Sequence, residues 1–403
     1  MPDPRIQRRA VTYAIPLALL IAHSAGAAPA ARPTRIVILG VAHSGAQLVA
    51  PAQQPAAFRA FIDRVKPDAI CIERAPEEFA RGDFYEFTYE QQDIVVPFAR
   101  ERRIPLYPID WLPRGDDERL AFGIDLEQPP LVRPARGFQS FGTHDAAQLT
   151  AKLFFAETAA SRAEGRDFAS QPPPRPRFDF ARRMFLYRTF MQAMRIAAAA
   201  RRYPGGTVLV VIGSMHKDDI EHVLADEAGV EIAQPSAFGE PTQGELRAAL
   251  RPADRFMIAT FNLLGLQART AVDWAWLRSI VGELAAAGGH EAPLFAIRLD
   301  YLTAKLAPAD ALARYEALDH ATAATETFHW TGVKYASRLD SVFDPFGNVT
   351  IKQRIQIEIA RLAHALGNDA RTQAIADALA AQLSVTQAAQ LRAYWKPYVL
   401  DLP

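Results

Sequence analysis

The sequence predicts an α/β fold, a mainly parallel sheet flanked by helices with a mainly helical C-terminal half, on three observations. Short apolar runs such as Arg35-Ile-Val-Ile-Leu-Gly40 and Thr207-Val-Leu-Val-Val-Ile-Gly213 lack polar alternation, the mark of strands buried on both faces. Helical spacing separates those runs, giving the β-α-β alternation of right-handed crossovers. Past Gly239 strand-like runs become scarce and helical patterns recur.

Residues 1–27 have the layout of a secretory signal peptide. Arg5, Arg8 and Arg9 precede the apolar run Ala10 to Ile21, and Ala25-Gly26-Ala27 offers a cleavage site. A chain starting near Ala28 would be periplasmic or secreted. Beyond Ala28 no apolar run is long enough to span a membrane. The 45 Lys and Arg balance 45 Asp and Glu, so the basic face that a nucleic-acid partner requires is not expected. A single cysteine rules out an internal disulfide, and Cys71, inside Ala69-Ile-Cys-Ile72, reads as an inert core residue.

Residues 28–238 read as an α/β domain. After the first strand, Phe58, Phe61, Ile62 and Val65 share one face of a helix over Pro55 to Val65, which Lys66-Pro67-Asp68 ends. Strand Ala69 to Ile72, a helix over Glu90 to Arg102 and strand Pro105 to Ile109 come after it. Prolines at 129, 130, 134 and 172–174 break up residues 112–180, read as an insertion or lid over the sheet edge with one helix over Asp145 to Ala163. A long helix over Ala181 to Ala200 takes Met184, Tyr187, Met191, Met194 and Ile196 as its apolar set. Strand Thr207 to Ile212 comes next, then a helix capped by Asp218 and a short edge strand, Val230 to Ala233. Residues 239–403 read as a mainly helical domain. Its helices fall at Thr242 to Leu250, Trp274 to Ala287, Pro308 to Leu318, Thr350 to Leu366 and Ala370 to Trp395. Arg255 to Phe261 and Leu294 to Ile297 read as two strands.

Two strands end in the same tetrad, Gly40-Val-Ala-His43 and Gly213-Ser-Met-His216. With 22 Gly and 9 His in the chain, chance supplies about 0.5 such tetrads, so placement after buried-type strands carries the weight. Ligands of open α/β sheets bind beyond the carboxyl ends of the strands. Four polar side chains fall there: His43, Glu73, Asp110 and His216. Two imidazoles and a carboxylate, His43, His216 and Glu73, could hold a divalent metal ion with positions left for water. The same groups could act without metal, one imidazole serving as general base. Arg74 could meet a substrate anion or pair with Asp110. Arg188, on a helix rich in Met and Phe, would ordinarily face solvent, as would His222. His144 could close over the site, and Thr327-Phe-His-Trp330 reads as pocket lining or core satellite. No partner is evident for His290, His320, His329 and His364.

Gly40-Val-Ala-His43, Pro67-Asp-Ala-Ile-Cys-Ile-Glu73-Arg74, Arg188-Thr-Phe-Met191 and Val208 to His216 together resemble the TraB/PrgY/GumN group. That group sits within the wider assembly of Tiki-type proteases, erythromycin esterases and haem-binding ChaN proteins. The shared pattern is two G-x-x-H motifs, a glutamate after the second strand and an Arg-x-x-Met helix before the second G-x-x-H. The resemblance spans residues 35–235 and implies an α/β fold with a site at His43, Glu73, Arg188 and His216. It implies no single reaction, since members include metal-dependent peptidases, metal-free esterases and a haem binder.

These residues support three expectations. The first is an exported, metal-dependent hydrolase of a peptide or related acyl bond, its divalent ion on His43, His216 and Glu73 and its oxyanion met by Arg188 or Arg74. The second is a metal-free esterase using a histidine-activated water. The third is a protein that binds haem or another ligand without turnover. In the first two the partner is a small-molecule or peptide substrate.

Overall fold

The computed structural model describes residues 32–44, 48–113, 129–134, 138, 152–170 and 176–401. The expected signal peptide, His144 and residues 145–151 lie outside the described residues; of the rest of the helix expected over Asp145 to Ala163, Phe155–Glu157 is a 3-10 turn and the α-helix begins only at Ala159. Five strands, β1 Thr34–Val41, β2 Ala69–Ile72, β3 Leu106–Pro108, β4 Thr207–Gly213 and β5 Val230–Ala233, make one sheet in the order β3-β2-β4-β1-β5. Every pairing is parallel. The fold is the expected α/β type.

Both faces are covered, which is why the strands carry no polar alternation. Val37, Leu39, Ile70, Leu209 and Val211 pack on Phe58, Phe61 and Ile62 of α1 (Pro55–Val65). Ile36, Ile38, Cys71, Val208 and Val210 pack on the opposite layer. That layer holds Ala193, Ile196 and Ala197 of a long helix over Pro176–Ala200 and Ile220 and Leu224 of the helix Ser214–Leu224. Cys71 is fully buried, and burial pushes its thiol up from the usual range.

Between these lie α2 (Pro76–Ala80), a π-helical turn over Glu90–Val95 that runs straight into α3 (Val96–Arg102), and α4 (Ala159–Ser170). The long helix is therefore α5 and Ser214–Leu224 is α6. The face α5 buries is only partly the expected one, Ile196 being buried as expected. Arg188, Thr189, Gln192, Ala193 and Ile196 turn inward while Tyr187 is exposed, so a polar stripe meets the sheet where the Met and Tyr pattern pointed elsewhere. Nor does Asp218 cap a helix. The α6 helix begins four residues earlier, and Asp218 sits within it, bonded to Arg162 at 2.7 Å.

All elements after β5 among the described residues are helical: α7 Gln243–Ala249, α8 Pro252–Leu263, α9 Trp274–Leu284, α10 Glu291–Leu302, α11 Pro308–Ala321, α12 Ile351–Ala365, α13 Asp369–Ala380 and α14 Val385–Trp395, with short 3-10 and π turns between. The two strands expected here are α8 and α10. Each is apolar around most of its girth because each lies between two packed layers. Met257 and Phe261 of α8 join the sheet's own core while Phe256, Ile258 and Leu263 face α9. Phe295 and Leu299 of α10 join that second cluster while Leu294 and Ile297 face α11 and α12. An apolar run of that kind hides its helical period. The helix expected over Ala370 to Trp395 breaks in two, and Ser384 opens the second half with a capping box to Gln387.

The C-terminal half shares a core with the sheet, since Phe343, Met257 and Phe261 belong to the cluster containing β1, β2 and β4. Of the expected lid, the described residues 129–134 and 138 pack on this half. Arg133 N–H donates to Tyr394 Oη at 2.8 Å, and Phe138 lies edge-on to Tyr394 and Tyr398. No helix among the described residues is long and apolar enough to cross a membrane.

Candidate functional site

Sheet order dictates the site. The strand β4 lies between β2 and β1, so residues leaving β1 and β2 must reach over its end to meet. They meet above Gly213. A Cβ on Gly213 would stand 3.1 Å from His43 Nε2 and 3.4 Å from Glu73 Oε2. The glycine of the second tetrad therefore closes no turn, being the last residue of β4 with an ordinary negative φ. It leaves room for the two side chains that cross it, and its N–H donates to Glu73 Oε2 at 2.6 Å. Gly40 follows the same logic: a Cβ there would come within 2.5 Å of Ala156 Cβ and 3.1 Å of Ser214 Cα, where α6 begins.

His43 leaves β1 in the left-handed region, φ 50°, a conformation costing a non-glycine residue roughly 1–2 kcal/mol. Two carboxylates hold it there. Its Nε2 lies 2.9 Å from Glu73 Oε2 and its Nδ1 2.6 Å from Glu90 Oε1. Burial works against its charge, but Glu90 and Glu73 outweigh it and the pKa rises to about 10. At neutral pH His43 is an imidazolium donating both N–H groups to carboxylates.

His216 is the opposite case. It occupies the first turn of α6, stacks on Phe185 at 4.3 Å between ring centroids and places Nδ1 2.7 Å from Thr189 Oγ1. The Thr189 hydroxyl already donates its one proton to the Phe185 carbonyl at 2.9 Å, so it accepts from His216. That fixes the proton on Nδ1 and leaves a lone pair on Nε2. Burial, with Arg188 adding to it, overcomes the pull of Glu73 and lowers the His216 pKa. This imidazole is neutral, and its Nε2 lies 3.5 Å from Glu73 Oε1.

Glu73 thus joins both histidines. Despite burial, His43, Arg188 and His216 hold its carboxyl well below the usual range. Arg188 Nη2 donates to its Oε1 at 2.8 Å and grips Asp110 through Nε and Nη2 at 2.7 and 2.6 Å. The inward stripe of α5 converges on Asp110: Gln192 Nε2 donates to Oδ1 at 2.7 Å and Arg195 to the Asp110 carbonyl. Tyr85 Oη supplies Oδ2 with a further donor at 2.7 Å. Arg188 lies beside Glu73, where the family resemblance put it, and does not face solvent as an arginine on such a helix ordinarily would.

Arg74 goes elsewhere. It is fully buried, donates to the Asp83 carbonyl and carboxylate at 2.8 and 3.0 Å, and lies 4.0 Å from the Tyr85 ring centroid. His222 is exposed, as expected. Three histidines without evident partners have them: His290 with Glu326, His329 with Glu291 and His364 with Asp369, at 2.7, 2.6 and 2.6 Å. Glu90, Tyr85, Thr189 and Gln192 are the participants that the sequence reading missed. Thr189 lay inside the Arg188-Thr-Phe-Met191 segment, and Glu90 closes the run Tyr85-Glu-Phe-Thr-Tyr-Glu90, an acidic and aromatic cluster that could have drawn notice.

His43, Glu73 and His216 come together, yet as arranged they offer an ion few lone pairs. His43 spends both nitrogens, and Glu73 Oε2 accepts two N–H bonds. Among the described residues no group of three or more His, Cys, Asp or Glu side chains is set to hold a metal ion. His216 Nε2 and Glu73 Oε1 are the pair that could engage an ion or a water. A narrow pocket with room for about one water reaches His43. Phe87, Tyr89, Phe261, Trp330, Val342 and Phe343 are among the residues lining it, Tyr89 meeting Phe261 edge to face at 5.3 Å. Trp330 is thus pocket lining and core at once.

No family model, curated protein or solved structure matches this chain.

Proposed function

We propose that the chain is an exported hydrolase that cleaves an ester, peptide or related acyl bond with a water activated by His216. One observation carries the reading: a single carboxylate, Glu73, stands between two imidazoles driven to opposite protonation states. Environments that push paired groups apart in pKa assign acid and base roles. In this reading His216 Nε2 takes a proton from water as its oxygen attacks the acyl carbon, then returns it to the departing oxygen or nitrogen. On the same reading Glu73 Oε1, 3.5 Å from Nε2, orients a water that sits to the side of both atoms and donates to each. The buried cations His43 and Arg188 supply the field that favours the developing oxyanion.

A purified chain assayed against p-nitrophenyl esters and chromogenic peptides tests this. The expected result is chelator-insensitive hydrolysis whose kcat/KM rises with pH through an inflection below 6.5 and falls by about 10²–10⁴ in His216→Ala. Full activity in His216→Ala overturns the mechanism. Loss on chelation with recovery on adding a divalent ion would instead favour a metal held by His216 and Glu73, which already turn toward one point. A Soret band with haem and no turnover would favour the binding reading.

A further inference from the structure

We propose that Arg133 is a positioning residue: by tying the segment 85–90 to Asp340 it holds Glu90, and with Glu90 the His43 ring, in place. The residues of that segment divide between two sets of partners. Three of them hold the site. Tyr85 Oη donates to Asp110 Oδ2 at 2.7 Å, Phe87 lies edge-on to the His43 ring at 5.6 Å, and Glu90 Oε1 meets His43 Nδ1 at 2.6 Å. Two are held in their turn, Glu86 by Arg133 Nη2 at 2.6 Å and Tyr89 by Phe261 of α8, edge to face at 5.3 Å. The backbone between them is closed. Thr88 donates to the Tyr85 carbonyl through its N–H at 3.1 Å and its hydroxyl at 3.0 Å, and Gln91 N–H donates to the Thr88 carbonyl at 3.0 Å, where the turn Glu90–Val95 begins. A shift of Glu86 is therefore passed to Glu90.

Arg133 is buried and bridges two buried carboxylates, its Nε donating to Asp340 Oδ2 at 3.1 Å while Nη2 serves Glu86. Asp340 is a fixed anchor. Tyr394 Oη donates to it at 2.7 Å, Gln390 Nε2 at 3.0 Å, and Arg338 through Nε and Nη2 at 2.7 and 2.8 Å. Tyr394 and Gln390 belong to α14, and Tyr394 Oη also accepts the Arg133 N–H at 2.8 Å. A guanidinium suits this task, because its planar fork can meet two carboxylates at once where an ammonium on a flexible stem cannot hold both in plane. The bridge gives the C-terminal half a part in the hydrolase reading, on which the catalytic consequence rests. Without it Glu90 withdraws from Nδ1, and the His43 imidazolium loses one of the two carboxylates that hold it.

Proton NMR of the full chain, labelled at its histidines, tests the proposal without requiring turnover. The His43 Nδ1 proton, in a 2.6 Å bond to Glu90, should resonate far downfield and exchange slowly with solvent. Glu86→Ala and Arg133→Met break the bridge and should each speed that exchange by about tenfold or more. Glu86→Gln keeps an acceptor for Arg133 and should change it by less than about threefold. The Nδ1 proton of His216, bonded to Thr189, is the internal control and should change by less than about twofold in every variant. On an ester substrate kcat should fall about tenfold in the two bridge-breaking variants, with KM within about twofold of wild type. Unchanged His43 exchange in both, acceleration as large in Glu86→Gln, or equal acceleration at both histidines overturns the proposal and leaves Arg133 a packing residue. Should neither bridge-breaking variant fold, Tyr394→Phe decides: loss of that hydroxyl should speed His43 exchange about threefold, and no change overturns the proposal. Accelerated exchange in a protein that hydrolyses nothing removes the hydrolase reading alone. Hydrolysis in a protein whose variants keep both His43 exchange and kcat unaltered removes this inference alone.

Discussion

Arg188 meets Asp110 through two parallel N–H···O bonds of 2.7 and 2.6 Å, both groups being buried. The same Nη2 also donates to Glu73 Oε1 at 2.8 Å. Removing one partner from a buried pair leaves the other charge stranded. Asp110→Ala should therefore destabilise the chain by about 3 kcal/mol or more in denaturant unfolding, and should lower hydrolysis even in molecules that fold. Unchanged stability would mean that water compensates Arg188 as well as the carboxylate does.

The His43 imidazolium ties stability to pH. Its folded pKa of about 10 exceeds the ordinary 6.5, so the stabilisation is complete below pH 6.5 and disappears as pH climbs through 10. Wild-type unfolding free energy should fall on the order of 3 kcal/mol between those values. His43→Asn, which tolerates positive φ but does not titrate, should show a clearly smaller fall. Parallel pH series on both proteins measure it.

Asp93 runs the other way. Burial raises its carboxyl to about 7, despite a hydrogen bond from Trp330. The folded state prefers the protonated form, so this group costs stability increasingly from pH 3.8 upward and in full above 7. Asp93→Asn should be more stable than wild type by about 1–3 kcal/mol at pH 8, the difference closing toward pH 4. A constant difference across that range would count against the assignment.

Thr189 acts through His216. Thr189→Val removes the acceptor that holds the proton on Nδ1, so nitrogen chemical shifts of His216 should show a mixture of tautomers and turnover should fall about tenfold or more. Thr189→Ser should restore both. A variant with unaltered shifts and lower activity would make Thr189 a packing residue.

At Gly213 the test is steric. Gly213→Ala puts a methyl within 3.2 Å of two His43 ring atoms, and a displacement of an ångström in such a site costs on the order of 10²-fold in rate. Circular dichroism should report an unchanged fold alongside that loss.

How much of this was legible depends on what a residue's neighbours in sequence reveal. Strands β2 and β5 have the expected bounds and β1, β3 and β4 differ by only a residue or two, because a strand covered on both faces writes its burial into consecutive residues. His43, Glu73 and His216 were visible as polar residues just past such runs. Glu90 and Thr189 were not, since their roles depend on which atom a histidine turns toward after folding. Phe256 to Phe261 misled for a related reason: a helix packed on two sides loses the polar stripe that declares its period. The inward stripe Arg188, Gln192 and Arg195 does keep helical spacing, but it reads as a solvent face until Asp110 is placed beneath it.

The strand order also sets a timetable for synthesis. Strand β1 pairs only with β4 and β5, and β2 only with β3 and β4. A growing chain can therefore join β2 to β3 early, while β1 waits without a partner for the segment Thr207–Gly213 to emerge. Such late, long-range closure is slow and leaves an apolar strand exposed to aggregation meanwhile. A chain halted anywhere before Thr207 carries His43 and Glu73 past two strands that share no ladder of hydrogen bonds, with the strand that lies between them not yet made.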